Sequence, residues 1–312
     1  MRSMRCRFIT VDVFTSRPLE GNPLAVFPDA RGLSDALMQR IAREMNLSET
    51  VFVLPPDEPQ NTRCLRIFTP KAELPFAGHP TVGAAYALAA LGEIPLTGEE
   101  TRIVFEEGVG PVPVLIRSEA GRPRRPIFTQ LSVARLPEAG PTPPGAGELA
   151  EMLSLPPEDV LSDGEDHPQG FSCGNPFLFI PLRSRDALRR ARLRIDIWED
   201  VLLGGWAREV FLMCREPELP GSHLRARMFM AELGTGEDPA TGSAVSALGG
   251  YLGIRAPERD GTLKWVVEQG FEMGRPSLLH LEVDKKDGEI TGVRVGGSSV
   301  LVSEGTMAVP EG

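Results

Sequence analysis

The chain has 312 residues, 41% of them apolar and 24% charged, an ordinary balance for a globular protein and enough length for two domains of about 150 residues each. A net charge of −10 opposes nonspecific attraction to nucleic acid or an anionic membrane, and the longest weakly polar stretch, Pro80 to Leu91, is too short to span a bilayer. Cys6, Cys64, Cys173 and Cys214 stand far apart with no CxxC pair, the pattern of reduced thiols in a cytoplasmic protein.

In chain order, Met1 to Arg7 is basic, but Phe8 to Phe14 alternates as a strand does, so no secretory leader is expected. Leu24 to Phe27 follows across Pro18-Leu19-Glu20-Gly21-Asn22 as the second strand of a hairpin. Ser34 is placed to cap a helix whose apolar face is Leu37, Ile41 and Met45, and Asn46 ends it. Val51 to Leu54 and Cys64 to Phe68 read as strands. A second helix begins at Pro80 and runs over Thr81 to Leu91. It is apolar on all sides, which marks a buried helix. Pro123 to Leu136 reads as the linker, with Arg122-Pro123-Arg124-Arg125 as a solvated turn, and Pro137 to Gly147 as a loop.

The second half repeats the first. Gly21-Asn22-Pro23 returns as Gly174-Asn175-Pro176, Asp35-Ala36-Leu37 as Asp186-Ala187-Leu188, Val51-Phe52 as Val210-Phe211 and Arg66-Ile67-Phe68 as Arg227-Met228-Phe229. His79-Pro80-Thr81-Val82-Gly83-Ala84-Ala85 matches Asp238-Pro239-Ala240-Thr241-Gly242-Ser243-Ala244, and Glu106-Glu107-Gly108 matches Glu268-Gln269-Gly270. A period this long is a fused pair of domains, since solenoids repeat every roughly 20 to 50 residues. The expected architecture is α+β: two pseudo-symmetric domains, each a curved mixed sheet around a central buried helix. The boundaries are drawn at residues 1–128 and 129–299, with 300–312 free to pack back on the first domain.

Two repeated helix starts place unpaired backbone N–H groups, with their partial positive charge, where an anion can approach. With the halves face to face, Gly78-His79 and Glu237-Asp238 would border one cleft, and Gly78 and Gly242 would let a carboxylate or enolate oxygen approach the backbone. On this alignment His79 and Asp238 are unlike groups at one structural place, although Asp238 reads equally well as a helix cap. Glu49, in Leu47-Ser48-Glu49-Thr50, is a third candidate, because a carboxylate against Val51-Phe52-Val53 has its pKa raised by desolvation. Periodicity does not separate it from Glu44. Gly234-Thr235-Gly236-Glu237-Asp238-Pro239 puts proline where a dinucleotide fingerprint needs its third glycine. His79, His167, His223 and His280 lack metal-ligand spacing, and no GxSxG is present. Lys285 and Lys286 fall in a surface turn.

Glu44-Met45-Asn46-Leu47-Ser48-Glu49, Ile67-Phe68-Thr69-Pro70, Glu73-Leu74-Pro75-Phe76-Ala77-Gly78-His79-Pro80, Glu237-Asp238-Pro239-Ala240-Thr241-Gly242-Ser243-Ala244 and Gln269-Gly270 followed by Gly274-Arg275-Pro276-Ser277 together resemble the PhzF-like phenazine biosynthesis family. The resemblance runs from Asp12 to Gly305 and implies a diaminopimelate epimerase-like fold. It also implies a cofactor-independent isomerase, with no metal, nucleotide or flavin, acting on a small anionic, carboxylated and unsaturated metabolite as a homodimer. By the same resemblance Glu49 is the general acid/base, His79 and Asp238 line the cleft, and Ser48, Gly78, Gly242 and Ser243 face the substrate. Related epimerases carry a cysteine at each helix start and this chain carries none, which disfavours a two-thiol racemase. An epimerase, racemase or dehydratase of a small hydroxy or amino acid, and a non-catalytic metabolite-binding protein, are the alternatives.

Overall fold

The computed structural model describes residues 3–121, 124–231 and 236–310; Arg122-Pro123 of the basic turn and Gly234-Thr235 of the glycine-rich segment lie outside them. The chain divides into two compact units, Met1–Ala134 with Gly296–Gly312, and Arg135–Val295.

The first unit contains β1 (Ser3–Val13), β2 (Asn22–Phe27), α1 (Asp35–Met45), β3 (Glu49–Leu54), β4 (Arg63–Phe68), β5 (Glu73–Leu74), α2 (Gly78–Ala90), β6 (Glu100–Glu107), β7 (Gly110–Glu119) and β8 (Arg125–Ser132). The second contains β9 (Glu138–Ala139), α3 (Ala146–Met152), β10 (Gln169–Ser172), β11 (Pro176–Pro181), α4 (Arg185–Arg190), α5 (Ile195–Val201), β12 (Glu209–Cys214), β13 (Leu224–Met230), β14 (Gly236–Asp238), α6 (Gly242–Arg255), β15 (Gly261–Gln269), β16 (Ser277–Lys286) and most of β17 (Glu289–Gly297). A last strand, β18 (Ser299–Pro310), returns to the first unit and pairs antiparallel with β1 along its whole length.

In each unit one helix forms the core. Every residue of α2 from Gly78 through Ala89 is buried, against β1, β2, β3, β7 and β8. A side chain at Gly83 would stand 2.7 Å from a Val13 methyl and 2.6 Å from a Leu24 methyl, so only glycine lets the helix lie this close to the strands. α6 is buried in the same way against β10, β11 and β16. The other sheet face is covered by amphipathic helices: α1 packs on Phe27, Phe52 and Phe68, and α3, α4 and α5, the last through Trp198, pack on Val210, Leu212 and Phe229. Ser34 caps α1 by accepting from the Leu37 amide, and Asn46 ends it in the left-handed conformation, as its sequence predicts.

Strand register corrects the internal alignment. The parallel pair β2–β3 sets Leu24 opposite Glu49, and β11–β12 sets Phe177 opposite Glu209; Thr50 faces Phe68 in β4 as Val210 faces Phe229 in β13. The structural counterpart of Val51 is therefore Phe211, one residue from the sequence match, and Glu209 stands in the place of Glu49. A larger shift affects the helix starts. Phe68 pairs with Glu73 and Phe229 with Glu237, after which both chains run through a proline to a helix beginning at glycine. The equivalent segments are Glu73-Leu74-Pro75-Phe76-Ala77-Gly78-His79 and Glu237-Asp238-Pro239-Ala240-Thr241-Gly242-Ser243. Packing agrees: a side chain on Gly108 would meet the Pro75 Cα at 2.7 Å, and one on Gly270 the Pro239 Cα at 3.1 Å. The expectation that His79 and Asp238 are counterparts is thus wrong. His79 matches Ser243, and Asp238 matches Leu74. The first helix begins two residues before Pro80, and Asp238 to Thr241 precede the second instead of opening it.

Lys285 also departs from expectation. It is 7% exposed, and its Nζ donates to the Gly253 and Ala256 carbonyls, at 2.9 and 3.0 Å, closing the C-terminal end of α6.

Candidate active site residues

Glu49 is the first residue of β3, directly after Ser48, and its alternation along the strand decides its direction. Thr50, Phe52 and Leu54 share the face toward α1, so Glu49, Val51 and Val53 share the face toward α2. Glu49 is 8% exposed, whereas Glu44 on α1 is exposed. The strand delivers the carboxylate to the start of the central helix, with Glu49 Oε2 3.5 Å from His79 Nδ1.

His79 is the second residue of α2 and is 4% exposed. Burial pushes its imidazole down to about 3, so the ring is neutral near pH 7 and its contact with Glu49 is not an ion pair. Asn22 Nδ2 lies 3.3 Å from His79 Nδ1. With the amide donating there, the ring proton resides on Nε2, which is buried and has no hydrogen-bond partner among the described residues. Asn22 is fully buried and was not among the expected site residues. Its signal was present in the repeated Gly-Asn-Pro.

The two central helix starts differ from those of α1 and α4. Ser34 and Ser184 cap α1 and α4, but neither Ala77 before α2 nor Thr241 before α6 makes a side-chain cap bond, and neither first turn contains an acidic residue. The first-turn amides of Gly78-His79 and Gly242-Ser243 are thereby left as donors with the helix dipole behind them. Gly78 and Gly242 are buried, and Ser243 is half-buried.

In the second unit, Asp238 ends β14 and is 5% exposed. Its Oδ2 accepts from Thr241 Oγ1 at 2.5 Å, and the N-cap position of α6 belongs to Thr241. Gln269 braces this turn: its Nε2 donates to the Asp238 carbonyl at 2.8 Å and to Thr241 Oγ1 at 3.0 Å, while its Oε1 accepts from the Thr241 amide at 3.1 Å. Two arginines at matching places hold the hairpins that precede the helices. Arg66 pairs with Glu73 at 2.6 Å and Asp35 at 2.7 Å, and Arg227 pairs with Glu237 at 2.8 Å and donates to the Leu188 and Ala191 carbonyls. Among the described residues no group of three or more His, Cys, Asp and Glu side chains is set to hold a metal ion, and no helix is long and apolar enough to cross a membrane.

Two copies of an α+β unit, each with an uncapped helix start inside a curved sheet, and a buried carboxylate beside a neutral imidazole in the first, define an isomerase of epimerase-like fold. The chain belongs to the PhzC-PhzF family, described as phenazine biosynthesis-like protein, whose profile matches residues 11–305. It is 40% identical to an uncharacterized isomerase of Mesorhizobium japonicum over 97% of this chain and 98% of the relative. It is 34% identical to the trans-2,3-dihydro-3-hydroxyanthranilate isomerase of Pseudomonas fluorescens over 97% and 99%. The structure matches a crystallised PhzF-family protein of Bacillus anthracis with a TM-score of 0.86 and 28% identity, covering 98% of this chain and all of that one (100%). A hydroxyproline epimerase of Agrobacterium vitis shares the fold alone, with a TM-score of 0.64 and 13% identity over 98% and 93% of the chains.

Proposed function

We propose that this isomerase moves a proton within a small carboxylated, unsaturated metabolite by general acid/base catalysis, without a cofactor. Glu49 removes a proton from a carbon made acidic by the adjacent unsaturated system and returns it elsewhere on the same molecule. The observation that carries the reading is the buried Glu49 carboxylate 3.5 Å from a neutral His79 at an uncapped helix start. A base in that setting is desolvated, and the amides of Gly78 and His79 with the Nε2 proton are donors for the anionic charge that develops as the proton leaves. The proposal has Asp238, Gly242 and Ser243 serve the same substrate, with Ser48 supporting Glu49, and has the protein act as a cytoplasmic homodimer.

The test is turnover in deuterium oxide, with trans-2,3-dihydro-3-hydroxyanthranilate, the compound named for the Pseudomonas relative, as first substrate. Solvent deuterium should enter a product of unchanged mass apart from the label, and Glu49→Gln should lower kcat by about 10²- to 10⁴-fold. Full activity in that variant would defeat the assignment. Inverted configuration at one carbon would identify an epimerase, and loss of water a dehydratase.

A further inference from the structure

Glu107 is the last residue of β6 and lies on the same face as the buried Ile103 and Phe105. It is 8% exposed, and no lysine or arginine pairs with it among the described residues. Its Oε1 is 2.6 Å from Thr81 Oγ1 on α2, and its Oε2 is buried with no hydrogen-bond partner among the described residues. The Thr81 hydroxyl has a single proton and also lies 2.8 Å from the Ala77 carbonyl, which only accepts. When Thr81 donates to Ala77, the bond between Thr81 and Glu107 needs its proton from the carboxyl.

The second unit shows what the position requires. Gln269 ends β15 as Glu107 ends β6, each before the glycine that packs on the proline ahead of the helix. Gln269 is neutral, and it braces the start of α6 as donor and acceptor at once. A carboxylate cannot donate, but a carboxylic acid can.

We propose that Glu107 is a neutral carboxylic acid that positions the start of α2, and with it His79, as Gln269 positions the start of α6. Burial supports this by pushing its carboxyl up to about 8, against a lowering by Thr81. The titratable groups on the elements around it are His79 and Tyr86 on α2, Arg63, Cys64 and Arg66 on β4, Glu73 on β5, Arg117 and Glu119 on β7, and Glu100, Arg102 and Glu106 on its own strand; β7 opposes it with Gly110. Of these, Cys64 feels its charge: the thiol is raised first by burial, then by Glu106, Asp57 and Glu107. Among the described residues, no lysine or arginine contributes to the shift of Glu107. As pH rises toward 8, ionising Glu107 therefore breaks its donation to Thr81 and loosens the turn that carries His79.

The experiment follows the His79 imidazole by NMR from pH 5 to 10, assigned with H79Q, beside thermal melting of the wild type and E107Q. The His79 resonances of the wild type should move with a midpoint near 8. In E107Q they should stay flat through that range, and the melting temperature of E107Q relative to wild type should climb from pH 5 to 8 and then level off. Should E107Q fail to fold, an infrared titration of the wild type reads a carboxylic C=O band that disappears near pH 8. A flat His79 response in the wild type, parallel melting curves, or no protonated carboxyl at pH 7 would each overturn the proposal. None of these readouts needs a substrate, so they stand or fall apart from the reaction assigned to Glu49.

Discussion

Ser243 stands in the second unit where His79 stands in the first: each is the second residue of its central helix, after Gly242 or Gly78. The duplicated frame thus offers one imidazole and one hydroxyl at like places. The unequal chemistry of the two helix starts lies in these residues, while Asp238 is an addition at the place of Leu74.

Removing the hydroxyl should cost little compared with removing the ring. Ser243→Ala keeps the helix amides and loses one donor, so kcat/KM should fall about 5- to 10-fold, corresponding to about 1 kcal/mol. His79→Ala removes a buried donor and leaves a cavity beside Glu49, and the fall should be at least about 10²-fold. Steady-state kinetics on one substrate compares the two; equal losses would refute the asymmetry.

His79 should make the fold sensitive to acid. Its folded pKa, about 3, lies below the unfolded value of 6.5, so the unfolded chain binds the extra proton between those limits. Stability from this group is complete above pH 6.5 and drains as pH falls toward 3, by about 2 kcal/mol at pH 5. Denaturation midpoints of His79→Gln should lack that part of the slope; an unchanged slope would mean the ring is charged in the folded state.

Arg225 and Glu268 should be inseparable. Arg225 is 2% exposed and holds Glu268, fully buried, at 3.1 Å and Glu272 at 2.9 Å, with Phe271 stacked 3.7 Å from its guanidinium. Glu268 also accepts the Glu218 and Leu219 amides at 2.8 and 2.6 Å. Glu268→Ala removes the fully buried partner of Arg225, leaving it Glu272, and strands two amides, and should destabilise by about 3–5 kcal/mol in urea titration. Changing Arg225 to Met together with Glu268→Gln should recover a large part of that.

The two proline-facing glycines should differ in tolerance. Gly270 sits at φ +79 and closes on Pro239, while Gly108 crowds Pro75 without a positive φ. Alanine at Gly270 adds backbone strain to overpacking and should cost about 2–4 kcal/mol; at Gly108 overpacking alone should cost about 1–3 kcal/mol. Reversal of that order in denaturation midpoints would contradict the geometry.

The repeat, the central helices and the capped α1 were legible because glycine, proline and apolar periodicity act locally. The wrong offset arose from the same residues. Along an alanine- and glycine-rich helix, Pro-x-x-Gly-x-Ala spacings match at more than one shift, and the true one follows from hairpin register, which is not local. Glu49 could not be told from Glu44 because its burial depends on β2 pairing with β3. Glu107 was legible in principle, since it alternates with Ile103 and Phe105, but a pair of adjacent glutamates reads as solvated. Glu106 does that work, accepting the Asp57 and Glu58 amides at 2.7 and 2.8 Å.

Pro75-Phe76-Ala77 and Pro239-Ala240-Thr241 give each central helix the same lead-in from hairpin to first turn. Length here acts as angular phase. One residue inserted or deleted between proline and glycine would swing the second helical side chain by about 100° around the axis, since a turn takes 3.6 residues. Identity at that position is free to diverge, as imidazole against hydroxyl shows, but the count ahead of it is not. New chemistry in this scaffold would arise by substitution at the helix start, and indels there would misaim the residue.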